Sequence, residues 1–214
     1  MKKIFKTALS LCLGLIPASS QIIAQESGLT NGYVLVAPLG SPTAYLINSE
    51  REIVHTWDCG EGPGNATYLE PSGTLLRTAK LEDNPLFKAR GGGGGRIRRY
   101  SWDGELLWDY RVSDETLHHH HDVEPMPNGN VLVIAWERHT KDEAIAAGRN
   151  PETISADAIW TETILELKPV GKDDAEVVWK WRLWDHLIQD FDETKENYGT
   201  IADHPGRVDF NYGI

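Results

Sequence analysis

Apolar residues fall in short alternating runs between turn signals, and three stretches of the chain share one register. One unit is a glycine turn followed by an apolar run: Asn31-Gly32 before Val34-Leu35-Val36, Ser72-Gly73 before Leu75-Leu76, and Asn128-Gly129 before Val131-Leu132-Val133. In the second and third copies a proline (Pro71, Pro127) sits two residues before the glycine, and an alanine (Ala79, Ala135) six after it. Asn-Gly between extended segments predicts a tight type I′ hairpin, in which both central residues take positive φ. The second unit is a strand alternating toward an aromatic: Ile53 to Trp57, Leu106 to Tyr110, and Val177 to Trp181. Period-two alternation fits a half-buried strand. A middle strand precedes it each time (Ala44 to Ile47, Ile97 to Tyr100, Thr163 to Leu167), joined by turns at Asp103-Gly104 and Gly171-Lys172 in the later copies.

Each repeat is thus a small antiparallel meander, and meanders that recur at 41 and 56 residues predict radially stacked blades. The expected fold class is all-β, a β-propeller with about three blades in this chain. A two-sheet sandwich is the competing arrangement, and the threefold register argues against it. The longer second interval places an insertion at Lys141 to Asp157, with a short helix over Asp142 to Ala147. The strand leading into each glycine turn, at Asn65 to Pro71 and at His119 to Pro125, is expected to be innermost in its blade. Closed propellers carry four to eight blades, so the chain is expected to be part of a larger ring.

Composition adds the compartment and the charge. Lys2, Lys3 and Lys6 precede an apolar run from Ala8 to Ile16, too short for the roughly 20 residues of a bilayer span. Small residues follow, and cleavage after Ser20 or Ala24 is expected. Residues 1–24 therefore read as a secretory signal peptide and 25–214 as a partial propeller, exported to the periplasm or secreted, with no membrane attachment after processing. Losing three lysines and no acidic residue takes the formal charge from −11 to −14. So acidic a chain excludes general nucleic-acid binding and requires any anionic ligand to meet a local positive patch. Only Cys59 remains after processing, which excludes an internal disulfide framework and a cysteine zinc site.

The sharpest departure from the repeat is His118-His119-His120-His121-Asp122. Alignment on the glycine turns sets His121 opposite Asn65 and His120 opposite Gly64, at the inner end of a blade where propellers bind ligands. Strand periodicity puts His119 and His121 on one face, and His118 and His120 on the other. A solvated loop and a metal site through imidazole nitrogens are the competing readings. No second histidine or cysteine cluster at ligand spacing supports the metal. The preferred reading is an inward-facing His121 with Asp122 or Glu124 beside it. The Gly91 to Gly95 run beside Arg90, Arg96, Arg98 and Arg99 reads as an inter-blade loop, with an anion-binding nest as the alternative.

The stretch from His120 to Asn130 resembles a blade motif of the bacterial aryl-sulfate sulfotransferase family, and so do Gly94 to Ile97 with Tyr100 to Gly104. Trp184 to Asp192, Asn197-Tyr198-Gly199 and Ala202-Asp203-His204-Pro205 are similar to later family segments. The resemblance spans nearly all of residues 30–212. It implies a six-bladed propeller with histidines and an arginine at its centre, needing no cofactor and no nucleotide sulfate donor. A histidine would take the sulfuryl group from a phenolic sulfate ester and pass it to a second phenol. His121 matches a family histidine, with His120 the alternative, and the resemblance implies sulfate binding or proton transfer there. His186 and His204 lie in matching segments as candidate substrate-binding residues. The segment carrying the covalent histidine and its arginine partner is not recognisable, and is expected beyond Ile214. Two other classes remain open. Asp103 to Trp108 echoes the tryptophan docking motif of exported quinoprotein-like dehydrogenases, and a non-catalytic binding propeller would need no chemistry at all.

Overall fold

A computed structural model describes residues 32–88 and 91–212. The secretory segment lies outside the described residues. Three antiparallel sheets follow one another along the chain. The first contains β1 (Val34–Val36), β2 (Thr43–Ile47) and β3 (Ile53–Asp58); the second β4 (Pro63–Leu69), β5 (Leu75–Lys80), β6 (Gly95–Tyr100) and β7 (Leu106–Arg111). The third holds β8 (Leu117–Pro125), β9 (Val131–Thr140), β10 (Ala158–Val170) and β11 (Asp174–Arg182), again in chain order. Each sheet is a meander with the register expected from the repeats, and the fold is propeller-like.

Burial separates this arrangement from a sandwich. On β5, Leu75 packs with Ala44, Leu46, Trp57, Cys59 and Tyr100 toward the first sheet. Its neighbour Leu76 packs with Ile97, Trp108, Val123, Val131 and Val133 toward the third. Successive strand residues point to opposite faces, so the middle sheet is covered on both, as a blade between blades must be. Cys59 is a small buried residue of the first of these cores, and desolvation raises its thiol pKa.

The turns correct one expectation. Asn128 does not take positive φ; only Gly129 does, at 86°. Gly129 N–H donates to the Met126 carbonyl and Met126 N–H to that of Asn130, so Pro127-Asn128 form a type I turn closed by a left-handed glycine. Glu70 to Thr74 and Ser101 to Glu105 repeat both bonds around Gly73 and Gly104. Pro71 and Pro127 at the first central position suit this turn, because proline fixes φ negative there. Asn48 to Glu52 makes the same pair of bonds with Arg51 in the glycine's place, at φ 68°. Trp102 and Ser49 fill the proline's place in the other two turns.

The insertion and the chain after β11 form a cap. The helix α1 (Lys141–Ala146) starts from a capping box between Thr140 and Glu143, as the acidic run after Thr140 dictates. Ala144, Ile154, Leu187 and Phe210 make its core. Two short strands, β12 (Leu187–Ile188) and β13 (Val208–Asp209), pair in parallel beneath it. No helix among the described residues is long and apolar enough to cross a membrane.

Outer strands reach forward from blade to blade. All three middle-to-outer pairings carry a bulge at one repeat position, which places His55, Trp108 and Trp179 in register. A ring nitrogen of His55 lies 2.7 Å from the Trp102 carbonyl of the second sheet. Trp108 Nε1 donates to the Asp174 carbonyl of the third, at 2.9 Å. The stretch that echoes the quinoprotein docking motif therefore serves here as an inter-blade clamp. Trp108→Phe keeps most of the packing and strands that carbonyl. Chemical denaturation should register a loss of about 1–2 kcal/mol.

Candidate functional site

The inner edge of the third blade is shaped by a bulge. β8 pairs with β9 through His119↔Ala135 and then Val123↔Val133, so the intervening residues leave the ladder. β4 does the same between Pro63 and Thr67. The two bulges are equivalent, and the aligned residues Asn65 and His121 both take left-handed backbone, at φ 89° and 54°. β4 and β8 lie side by side, tied by the Tyr68 hydroxyl donating to Asp122 Oδ1 at 2.8 Å. Burial, then that hydrogen bond, pushes the Tyr68 phenol up to about 12, so it remains a donor.

The bulge overturns simple alternation. His118 and His120 do share a face, since both stack on Trp136, at 6.3 and 4.3 Å between centroids. His121 does not join His119 on the other face. Its positive φ swings the ring back beside His120, with Nδ1 of each 2.8 Å apart, and edge-on to Trp136. The carboxylate that completes this group is neither Asp122 nor Glu124. Asp122 is held by Tyr68 and by Val123 N–H. Glu162, on β10 directly across from Trp136, places Oε2 2.6 Å from His120 Nε2. His120 is 4% exposed and both its nitrogens are engaged, whereas His121 is exposed and its Nε2 has no hydrogen-bond partner among the described residues.

The other two rings are structural. His118 Nδ1 lies 2.8 Å from Ser113 Oγ, and its ring stacks on Phe87. Desolvation, then the Arg111 charge, holds its pKa below the ordinary value. His119 is fully buried and accepts Gly95 N–H at Nδ1, so its own proton sits on Nε2, which finds no partner. Burial, with His120 adding to it, pushes its pKa down to about 3.

The glycine run exists for these rings. Gly94 N–H donates to the His119 carbonyl and His121 N–H to that of Gly92. A Cβ on Gly94 would stand 2.2 Å from His119 Nδ1, and one on Gly92 2.1 Å from the His121 ring. Among the described residues the neighbouring arginines build no anion nest there: Arg96 and Arg98 pair with Asp109, and Arg99 with Glu70, while Arg90 lies outside the described residues. Beside Gly91 to Gly93 lies a cavity of about 240 Å³, lined also by Asn65 and Lys80.

His186 and His204 are not brought to this cluster. His186 stacks on Trp181 of the outer strand, 5.0 Å away, and His204 sits exposed beside Gly199. The motif segments around them serve the cap. Gln189, fully buried, accepts N–H from Phe191 and Asp192 and donates to the Asp192 carbonyl, while Asn197 donates to that of Ala147. Among the described residues no three His, Cys, Asp or Glu side chains converge in metal-holding geometry. Sequence reasoning set Asn65 opposite His121 but missed Trp136 and Glu162. Glu162 was readable by extending the middle strand backward from Thr163 to face Trp136.

Two outcomes test this geometry. Gly94→Ala forces His119 against a tightly packed backbone and should lower stability by about 1–3 kcal/mol. Gly92→Ala meets an exposed ring that can swing away, but at φ 74° it adds left-handed backbone strain of about 1–2 kcal/mol and should lower stability as well. Acid should also unfold the protein. The depressed His119 pKa means the unfolded chain takes up a proton below about pH 6.5 that the folded chain refuses until about pH 3. Stability is fully present above the unfolded value and falls in that window by up to about 1.4 kcal/mol per pH unit. Denaturation curves between neutral and acid pH should show this slope, and His119→Leu should flatten it.

The arylsulfotransferase (ASST) family matches residues 69–210, which runs from the last residue of β4 through β5 to β7, the whole third blade and the cap. No curated protein matches the chain. Among solved structures it is similar to a protein of unknown function from Bacteroides caccae, at 18% identity and a TM-score of 0.43. That likeness covers 72% of this chain and 41% of the other, so the chain spans less than half of that protein's length. With the His118 to His121 strand lying inside a match over more than half of its length, the chain belongs to the arylsulfotransferase family.

Proposed function

We propose that this chain is part of an exported aryl-sulfate sulfotransferase that moves a sulfuryl group from a phenolic sulfate ester to a phenol. In this reading residues 1–24 are removed and residues 25–214 contribute blades to a larger propeller. Family membership over residues 69–210 is the observation that carries it. The transfer runs in two displacements. A neutral histidine nitrogen attacks sulfur, the sulfur–oxygen bond to the aryl group breaks, and the phenolate leaves with its electron pair and gains a proton. The oxygen of a second phenol then attacks the sulfohistidine, loses its proton, and the nitrogen–sulfur bond breaks. Splitting one displacement into two needs no nucleotide donor and gives ping-pong kinetics.

The geometry supports His121 as the residue of this blade that meets the substrate, either holding the sulfate or moving the proton of the phenol. It is exposed, it sits on the inner edge, and its Nε2 is free among the described residues. His120 supports it from behind. We place the covalent histidine in another blade. Lys80, with its short exposed pair to Glu82, supplies positive charge at the neighbouring cavity, and an exposed pair of that kind gives up its partner cheaply. His186 and His204 have weaker geometric support as substrate contacts, one on an outer strand and one on an exposed turn.

The test is transfer from 4-nitrophenyl sulfate to phenol by the protein carrying this chain in its complete reading frame. Nitrophenol release with matching formation of phenyl sulfate is expected, and His121→Ala should slow it by about 10²–10⁴-fold, the usual range for a positioned acid–base group. A folded protein that releases no nitrophenol overturns the reading.

A further inference from the structure

We propose that Glu162, acting through His120, fixes the tautomer of His121 so that its exposed Nε2 carries the free lone pair. Glu162, His120 and His121 form one line of hydrogen bonds. A carboxylate only accepts, so at 2.6 Å from Glu162 Oε2 the His120 Nε2 must carry a hydrogen. A neutral His120 then has a bare Nδ1. That atom lies 2.8 Å from His121 Nδ1, and two ring nitrogens at this distance must share one proton. With His120 accepting, His121 Nδ1 holds the proton and Nε2 is left bare. The opposite direction would require a second proton on His120, because its Nε2 already donates to Glu162.

The line has a useful property. When His121 takes a proton at Nε2, the Nδ1–H bond to His120 and the bond from His120 to Glu162 stay as they were. His121 can therefore gain and lose a proton at its outer nitrogen without any ring turning. Trp136 holds the middle ring in plane: it pairs across the sheet with His118 on one side and Glu162 on the other. The left-handed backbone at His121 is what brings its Nδ1, rather than Nε2, toward His120. Other charged or titratable groups around the line are already engaged, Asp122 by Tyr68 and His118 by Ser113. Glu162 is thus a positioning residue. Its importance to transfer rests on the reading of His121 given above, but the proton positions do not.

The test is ¹⁵N imidazole NMR of the full chain, slightly alkaline so that histidines are neutral, with the His121 signals identified by their loss in His121→Gln. The wild-type protein should show His121 protonated at Nδ1 and bare at Nε2. Glu162→Ala should move population to the Nε2-protonated form, and Glu162→Gln, whose amide oxygen still accepts, should restore the wild-type pattern. A wild-type His121 with its proton on Nε2 overturns the proposal, and this spectrum decides even if Glu162→Ala does not fold. A Glu162→Ala protein with unchanged His121 signals overturns it as well. In the transfer assay, Glu162→Ala should lower kcat by about 10- to 100-fold with KM little changed. A shifted tautomer with unchanged transfer would leave the relay standing and remove His121 from the chemistry.

Discussion

The site depends on backbone meeting backbone between two blades. Gly94 and Gly92 bond the main chain of His119 and His121, and Gly95 N–H bonds the His119 ring. Such an approach excludes any Cβ on the glycine side. Once it is made, the loop between β5 and β6 becomes a wall for β8. His119 is driven into full burial in its neutral form, and His121 is left outside. The same contact explains why Gly92, Gly94 and Gly95 stand next to three arginines that serve another purpose. Those arginines are held on the outer part of their own blade by Asp109 and Glu70.

Much of the fold was legible because it rests on local chemistry that repeats. Proline, then a small polar residue, then glycine defines a turn wherever it recurs, and alternation toward an aromatic defines the outer strand. Registers read from Gly73 and Gly129 carried over to the sheets, and the run from Asp142 to Ala147 put the short helix within one residue of where it forms. The turn type was misread because Asn-Gly suggests a two-residue hairpin, while Pro127 one position earlier suits the longer loop. The site was less legible. Period two holds only while both strands stay in the ladder, and a bulge depends on the partner strand as well as its own sequence. That is why His121 was found but assigned to the wrong face, with Asp122 or Glu124 expected beside it where Glu162 joins the group through His120. In the segments around His186 and His204, Gln189 holds its own loop at Phe191 and Asp192, and Asn197 ties that loop to the end of α1 at Ala147.

On the proposed function an acidic protein meets an anionic ester, and the histidine strand would be a local answer to the repulsion. Three of the four rings are withdrawn from water, so the strand adds little fixed charge. What it offers instead is a row of oriented ring nitrogens, one of them exposed. Aromatic neighbours Phe87, Trp136 and Trp160 lie in stacked or tilted contact around it, which limits the water that can screen whatever binds there.

The forward reach of the outer strands has a consequence for assembly. His55 bonds into the second blade, Trp108 into the third, and Trp179 occupies the same place with 48% of its surface exposed. Each junction joins two different surfaces, a ring nitrogen on one blade and a carbonyl on the next. A head-to-tail contact of this kind has a direction and no internal stopping point: it terminates only by meeting its own beginning, and otherwise it propagates. Curvature per blade, more than the strength of any single junction, therefore decides whether blades of this design end as a discrete ring or as an open polymer.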